Sequence, residues 1–219
     1  MHVVILAGGR GTRMGALTDK LPKPMLMHNG KNLIEHKLDN LPSQIKHIIL
    51  VIGYLGNKIQ EYFGDSYRGI PITYIVQEKL LGTAHSLWEA KDHIHEPFMV
   101  LMGDDLYAKK DLDSMTTYDF AVLANKSERG RSGGKIFLNK DGTLRDIIED
   151  KDGTLDSPLV YTGACMLTPE IFSYPMVQIP GRNEFGLPQT ILQIRDRFPL
   201  NLVEATFWKQ ITSPGDLIY

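Results

Sequence analysis

The feature that most constrains this chain stands at its start, where the apolar run His2-Val3-Val4-Ile5-Leu6-Ala7 breaks directly into Gly8-Gly9-Arg10-Gly11. A run that is apolar on successive positions and ends at glycines is the pattern of a parallel strand buried on both faces. Glycines at three of the next four positions let the backbone turn sharply and aim successive N–H groups at one place, with no Cβ in the way of an incoming phosphate. Leu6, Ala7, Gly8, Gly9, Gly11, Thr12 and Arg13 form the candidate nucleotide-binding segment, with the glycines as its anion-binding part. Arg13 adds a planar fork of donors, and Lys23, held between Pro22 and Pro24, adds a point charge on a stiffened backbone. A glycine cluster alone reads equally well as a tight turn with surface cations. This one lacks the Gly-Lys-Ser/Thr ending of a Walker loop and the Gly-x-Gly-x-x-Gly dinucleotide spacing, which weighs against kinases, GTPases and nicotinamide dehydrogenases.

Beyond the loop, short β-branched runs alternate with helix-patterned segments. Asn32 to Leu41 places Leu33, Ile34, Lys37, Leu38 and Leu41 at helical spacing, four of the five apolar, before Pro42. His47 to Ile52 and Ile70 to Val76 read as strands, with a helix over Asn57 to Phe63 that turns Ile59, Tyr62 and Phe63 inward. Thr83 is placed to cap a helix through Ala90, and Phe98 to Met102 is a further buried strand running into Gly103-Asp104-Asp105. This alternation predicts an α/β, doubly wound sheet with its ligand at the carboxyl ends of the strands. In the second half, Phe120–Ala124, Lys135–Leu138, Leu144–Glu149 and Leu159–Leu167 are separated by turns at Gly133-Gly134, Asp141-Gly142 and Asp152-Gly153, which predicts antiparallel additions. Pro169 to Tyr174 and Leu187 to Arg197 read as helical, and Leu200 to Phe207 as a last strand.

Any phosphate affinity has to be local, because 24 basic and 26 acidic side chains leave a formal net charge of −2. No global field favours nucleic acid or an anionic membrane, and neither is an expected partner. No apolar stretch approaches the roughly 20 residues needed to cross a bilayer. The first apolar run lacks a basic leader and reads as a strand rather than a signal peptide. The single cysteine, Cys165, leaves no internal disulfide or multi-cysteine zinc site and reads as a small buried side chain. A cytosolic protein is expected.

Leu6-Ala7-Gly8-Gly9-x-Gly11-Thr12-Arg13-Met14, followed by Leu17-Thr18 and Pro22-Lys23-Pro24-Met25, resembles the signature of the sugar-1-phosphate nucleotidylyltransferases, or NDP-sugar pyrophosphorylases. The resemblance implies a Rossmann-like, mostly parallel mixed sheet in a single domain. Its nucleotide-binding part would span about 1–110 and its sugar-phosphate-binding part about 111–219. It implies that an NTP and a sugar 1-phosphate give an NDP-sugar and pyrophosphate, with Arg13 and Lys23 on the phosphates. Gln77, five residues before Gly82-Thr83, resembles the segment that meets the nucleobase. An amide donates and accepts at once, which suits uracil or thymine, and UTP is the expected substrate. Asp104, after Val100-Leu101-Met102-Gly103, resembles the aspartate that holds Mg²⁺. Asp105 beside it is expected to point elsewhere, as neighbours usually do.

Three later segments extend the resemblance with departures. Glu149-Asp150-Lys151 falls where the family has Glu-Lys-Pro, so Glu149 and Lys151 are the implied sugar-phosphate contacts with the lysine one place late. Thr162-Gly163-Ala164 resembles the strand that approaches the sugar, and Glu184 the acidic sugar contact. Gln210 stands where a second metal-binding aspartate is usual, and an amide oxygen is the weaker ligand. The sequence stops at Tyr219, before the left-handed β-helix that some members carry.

Because a sugar phosphate is already an anion, such a reaction needs no serine, histidine or cysteine nucleophile. It needs two repelling anions held in line and the bridging charge neutralised. Two alternatives stay open on the residues: a cytidylyltransferase acting on a non-sugar phosphate such as phosphocholine, and a catalytically weak nucleotide-binding protein that regulates a partner.

Overall fold

The leading apolar run forms a central strand because both of its faces are covered. The computed structural model describes residues 1–127 and 132–217. In chain order the strands are β1 (His2–Ala7), β2 (Met27–His28), β3 (Lys31–Asn32), β4 (His47–Ile52), β5 (Ser66–Tyr67), β6 (Ile70–Val76), β7 (Phe98–Met102), β8 (Asp105–Tyr107), β9 (Ala121–Lys126), β10 (Gly133–Leu138), β11 (Leu144–Asp150), β12 (Leu159–Leu167), β13 (Asn201–Glu204) and β14 (Trp208–Gln210). The α-helices are α1 (Leu33–Asp39), α2 (Gly56–Phe63), α3 (Thr83–Glu89), α4 (Lys109–Met115) and α5 (Leu187–Ile191). Alternate residues of β1 enter two separate cores: Val3, Ile5 and Ala7 pack on one side of the sheet, Val4 on the other.

Strands β7, β1, β4 and β6 lie side by side and parallel, with Val4 paired to Val100 on one flank and to Ile49 on the other. The second half adds the expected antiparallel strands. β12 runs against β7 through Cys165, Met166 and Leu167, against β10 at Val160, and along its other edge against β9. The β12–β9 register breaks between Tyr161 and Cys165, where Gly163 adopts φ +84°. A bulge with a glycine in this region bends the strand, so β12 serves one half-sheet with its end and another with its start. Cys165 is fully buried, and burial pushes its thiol up to about 12.

Local sequence explains the helix that matters most below. Asn32 caps α1 by accepting from the Glu35 amide at 2.9 Å, while the Glu35 carboxylate accepts from the Asn32 amide at 2.8 Å. No helix among the described residues is long and apolar enough to cross a membrane.

Several sequence expectations are corrected. Tyr62 points outward, 55% exposed, because its hydroxyl donates to Glu35 across the groove from α1. Gly82 rather than Thr83 occupies the cap position of α3, and Thr83 is the first helical residue. Gly133 and Gly134 belong to β10 instead of a turn, paired with Asp150 and Glu149. The Leu187 segment is α-helical only to Ile191 and tightens to a 3₁₀ turn over Leu192–Asp196. The last strand breaks after Glu204, because the Asp111 carboxylate accepts from the amides of Thr206 and Phe207 and draws the chain off the sheet. The chain then re-pairs as β14 against β8.

Candidate active site

At the carboxyl ends of β1, β6 and β7 the described residues enclose a cleft of three adjoining chambers. One of about 230 Å³ is lined by Ala7, Gly11, Thr12, Arg13, Lys23 and Asp104. Leu6, Gly9 and Asp104 also face the largest, of about 450 Å³, which reaches Gln77, Gly82, Thr83 and Glu184. Glu149 and Thr83 lead on to the third, of about 220 Å³, bounded by Gly163, Asp105 and Gln210.

The glycines of the loop have separate reasons. A Cβ on Gly8 would come within 2.9 Å of the Gln77 Oε1, so a side chain there would push that amide from its place. Gly9 has open space where its side chain would be. Gly11 takes φ +67° and approaches so closely that a Cβ would be 2.7 Å from the Lys23 Cβ. The loop thereby covers the lysine stem, leaving Lys23 only 6% exposed, and the ammonium reaches the Asp104 carboxylate in an ion pair. Arg13 stays exposed at the rim.

Gln77 is 4% exposed, so it is not a solvated strand-end residue. Its amide is set from two sides: the Ser86 hydroxyl donates to Oε1 at 2.6 Å, and Nε2 lies 3.4 Å from the His85 Nδ1. Opposite, Gly82 at φ +96° allows the segment carrying Glu184 to dock. The Phe185 carbonyl accepts from Ala84, its amide donates to Leu81, and the Thr83 hydroxyl oxygen accepts from the Leu187 amide at 3.0 Å. Glu149 projects from β11 between the largest chamber and the third, and Gly163 lies so close to Met102 that a Cβ would meet its Cγ at 2.4 Å. Lys151 is the expected contact that the fold does not bring in. It is exposed and outside the residues lining the cleft, because Asp150 accepts from the amides of Thr154 and Leu155 and turns the chain away.

The sequence pattern of the family described as Nucleotidyl transferase matches residues 2–149. A UTP–glucose-1-phosphate uridylyltransferase, AglF of Haloferax volcanii, is 32% identical over 95% of this chain and 90% of its own length. The chain belongs to the nucleotidyl transferase family. It is also 32% identical, over its whole length, to the bifunctional protein GlmU of Methanococcus maripaludis, and spans 53% of that relative. The chain thus covers about half the length of the GlmU relatives it matches. The fold is shared with a UDP-glucose pyrophosphorylase solved with UDP-glucose, at 21% identity and a TM-score of 0.83, covering 99% of this chain and 95% of that one. A UDP-glucose pyrophosphorylase from Acinetobacter baumanii superposes with a TM-score of 0.85 at 17% identity, covering 99% and 90%.

The electrostatics of the cleft floor go beyond the residues expected from sequence. Asp105 is 2% exposed and accepts from the Trp208 indole N–H at 3.0 Å, while its Oδ1 has no hydrogen-bond partner. Burial, reinforced by the neighbouring Asp104 charge, pushes its carboxyl well above the usual range. Lys37, wholly buried on α1, is pushed down by the same desolvation, opposed by Asp104 and Asp105. Sequence reasoning passed over Lys37, although its one signal was visible: it is the charged member of an otherwise apolar stripe. Among the described residues no group of three or more His, Cys, Asp or Glu is arranged to hold a metal ion. The hard oxygen donors at the floor are the partly exposed Asp104 carboxylate in the first two chambers, and the Asp105 carboxyl and Gln210 amide in the third.

Proposed function

We propose that the chain transfers a nucleotidyl group from an NTP, UTP or dTTP, to a sugar 1-phosphate, giving an NDP-sugar and pyrophosphate. The observation that carries this is the convergence, in one cleft, of an anion-binding loop, the Lys23–Asp104 pair and the buried Gln77 amide. The names of the AglF and pyrophosphorylase relatives agree with it. The loop amides from Gly8 to Thr12 and the Arg13 guanidinium hold the triphosphate. The Ser86 hydroxyl engages the Gln77 carbonyl, which turns the amide N–H₂ toward a base carbonyl such as uracil and thymine offer. Glu149, Gly163 and Glu184 face the sugar phosphate from the second half of the chain, so that residues 1–110 and 111–219 divide the two substrates between them. Lys151 is the weakest of these assignments, given its place outside the cleft.

A phosphate oxygen of the sugar 1-phosphate attacks the α-phosphorus in line. One P–O bond forms there as the bond to the α–β bridging oxygen breaks, and pyrophosphate leaves with that electron pair. Lys23 neutralises charge on the non-bridging oxygens as it develops, and Arg13 does so on the departing phosphates. Asp104 would supply the carboxylate to a Mg²⁺ ion and Gln210, from the adjoining chamber, a weaker contact, and the ion would screen the repelling anions. No nucleic acid or membrane enters this reaction, and the cytosol supplies both substrates. The test is a matrix of UTP, dTTP, CTP, ATP and GTP against sugar 1-phosphates and phosphocholine with Mg²⁺, read by pyrophosphate release. Turnover with a sugar 1-phosphate supports the reading, whereas turnover confined to phosphocholine, or tight nucleotide binding with none, sinks it.

A further inference from the structure

The apolar stripe of α1 contains one residue that packing alone does not explain. Leu33, Ile34 and Leu38 are buried as the helical spacing dictates, and Lys37 in their midst is only 1% exposed. The ion pairs among the described residues do not include it. A leucine or methionine would fill the same volume without desolvating a charge, so the ammonium must supply something the core does not need. Its two hydrogen bonds show what. Nζ donates to the Leu33 carbonyl one turn back at 2.8 Å and to the Gly103 carbonyl at 3.0 Å.

Gly103 is the residue immediately before Asp104, and it is held from the opposite side by β1. Its amide donates to the Leu6 carbonyl at 2.9 Å, and a Cβ here would lie 2.7 Å from that oxygen. The Asp104 carbonyl in turn accepts from Ile211 at 3.3 Å, and Trp208 fixes the Asp105 carboxyl. The peptide that presents the cleft carboxylate is thus gripped by β1, by the β14 segment and by the Lys37 ammonium. Two neighbouring carboxyl groups also have to share this turn, and a cation buried behind them offsets their repulsion.

We infer that Lys37 is a positioning residue: it fixes the Gly103–Asp104 peptide so that the Asp104 carboxylate keeps its station beside Lys23. The kinetic part of this inference rests on the proposed function, and the structural part does not. Two measurements on purified full-length Lys37→Met, compared with wild type, test it. Hydrogen exchange in the segment 98–107 is expected to quicken by about tenfold or more while exchange in β4 and β6 is unchanged. With the substrate pair that wild type turns over, kcat is expected to fall by about tenfold or more, with both KM values within about threefold. Lys37→Gln, which keeps a donor without the charge, is expected to recover most of both losses. Wild-type exchange in 98–107, or kcat within about twofold of wild type, overturns the inference, as does exchange accelerated evenly over the whole chain. If Lys37→Met does not fold, Lys37→Gln carries the test. Slow exchange in 98–107 and near-normal kcat in it support the inference, and loss of both, or uniform loosening, overturns it. If wild type turns over no substrate pair, the proposed function fails while the exchange comparison still decides Lys37.

Discussion

Replacing Gly82 with alanine strikes the joint between the two walls of the largest chamber. Gly82 holds φ +96°, a conformation that costs an L-residue about 1–2 kcal/mol. The added Cβ would lie 2.4 Å from the Phe185 carbonyl oxygen and 2.7 Å from its amide nitrogen. These are backbone atoms, so the contact is relieved only by moving the segment away. That movement gives up the Ala84-to-Phe185 and Phe185-to-Leu81 hydrogen bonds, at 3.0 and 2.7 Å, each worth about 1 kcal/mol net. The sum is about 3–4 kcal/mol, which in a domain of this size lowers Tm by roughly 10 °C. Glu184 moves with the segment, so KM for the sugar 1-phosphate should rise as well. A control separates the two causes. Gly181 also has positive φ, +74°, but nothing stands where its Cβ would be, so Gly181→Ala should show the strain alone, roughly 3 °C. Differential scanning calorimetry with initial-rate kinetics on both variants decides the matter. Equal melting temperatures for the two, or a Gly82→Ala protein with wild-type KM, would refute the reasoning.

Lys23→Ala is expected to lower kcat by about 10²–10³-fold, as loss of one transition-state donor does, while thermal unfolding moves little because its partner Asp104 is partly exposed; pyrophosphate release at the wild-type rate would remove Lys23 from the mechanism. Gln210→Asp should lower the Mg²⁺ concentration giving half-maximal activity, since a carboxylate binds the ion better than an amide, and an unchanged midpoint would show that position 210 does not reach it. Stability should decline on acidification through the histidines of the sheet's other end. Burial depresses His2 and His47 below their usual value, so the folded form prefers them neutral. Below about pH 6.5 the unfolded chain takes up these protons first, and stability is lost from there down through the lower folded values. Urea titrations at stepwise lower pH should show this slope, and it should flatten in a His2→Gln/His47→Gln variant.

The parts of the fold legible in the sequence were those fixed by local pattern. Unbroken apolar runs announced β1, β4 and β7, and Gly8, Gly9 and Gly11 announced the loop, because burial on two faces and freedom from a Cβ leave direct marks on residue type. What was not legible depended on partners far away in the chain. Thr83 has the composition of a cap, yet its hydroxyl is taken by Leu187, 104 residues on. Lys151 lies beside a carboxylate, yet Asp150 is spent on the turn that carries it off. Tyr62 fits an inward stripe by spacing, but a hydroxyl that finds Glu35 is better left in water. Lys37 was plainly charged, and only the Gly103 carbonyl, 66 residues away, gives that charge a purpose.

The arrangement of β1 bears on how such a chain comes to be assembled. Its neighbours are supplied by residues 47–52 on one flank and 98–102 on the other, and β7 is covered in turn by 165–167. Pairings so distant must wait for loop closure, which makes them slow relative to helices and hairpins. During synthesis from the N-terminus, the loop at Gly8–Gly11 therefore emerges before either neighbour of β1 and is framed only after Met102 has been added. Until those two neighbours are made β1 keeps unpaired edges, and β7 then keeps one until 165–167 arrive, so the strand beneath the loop is long in need of protection.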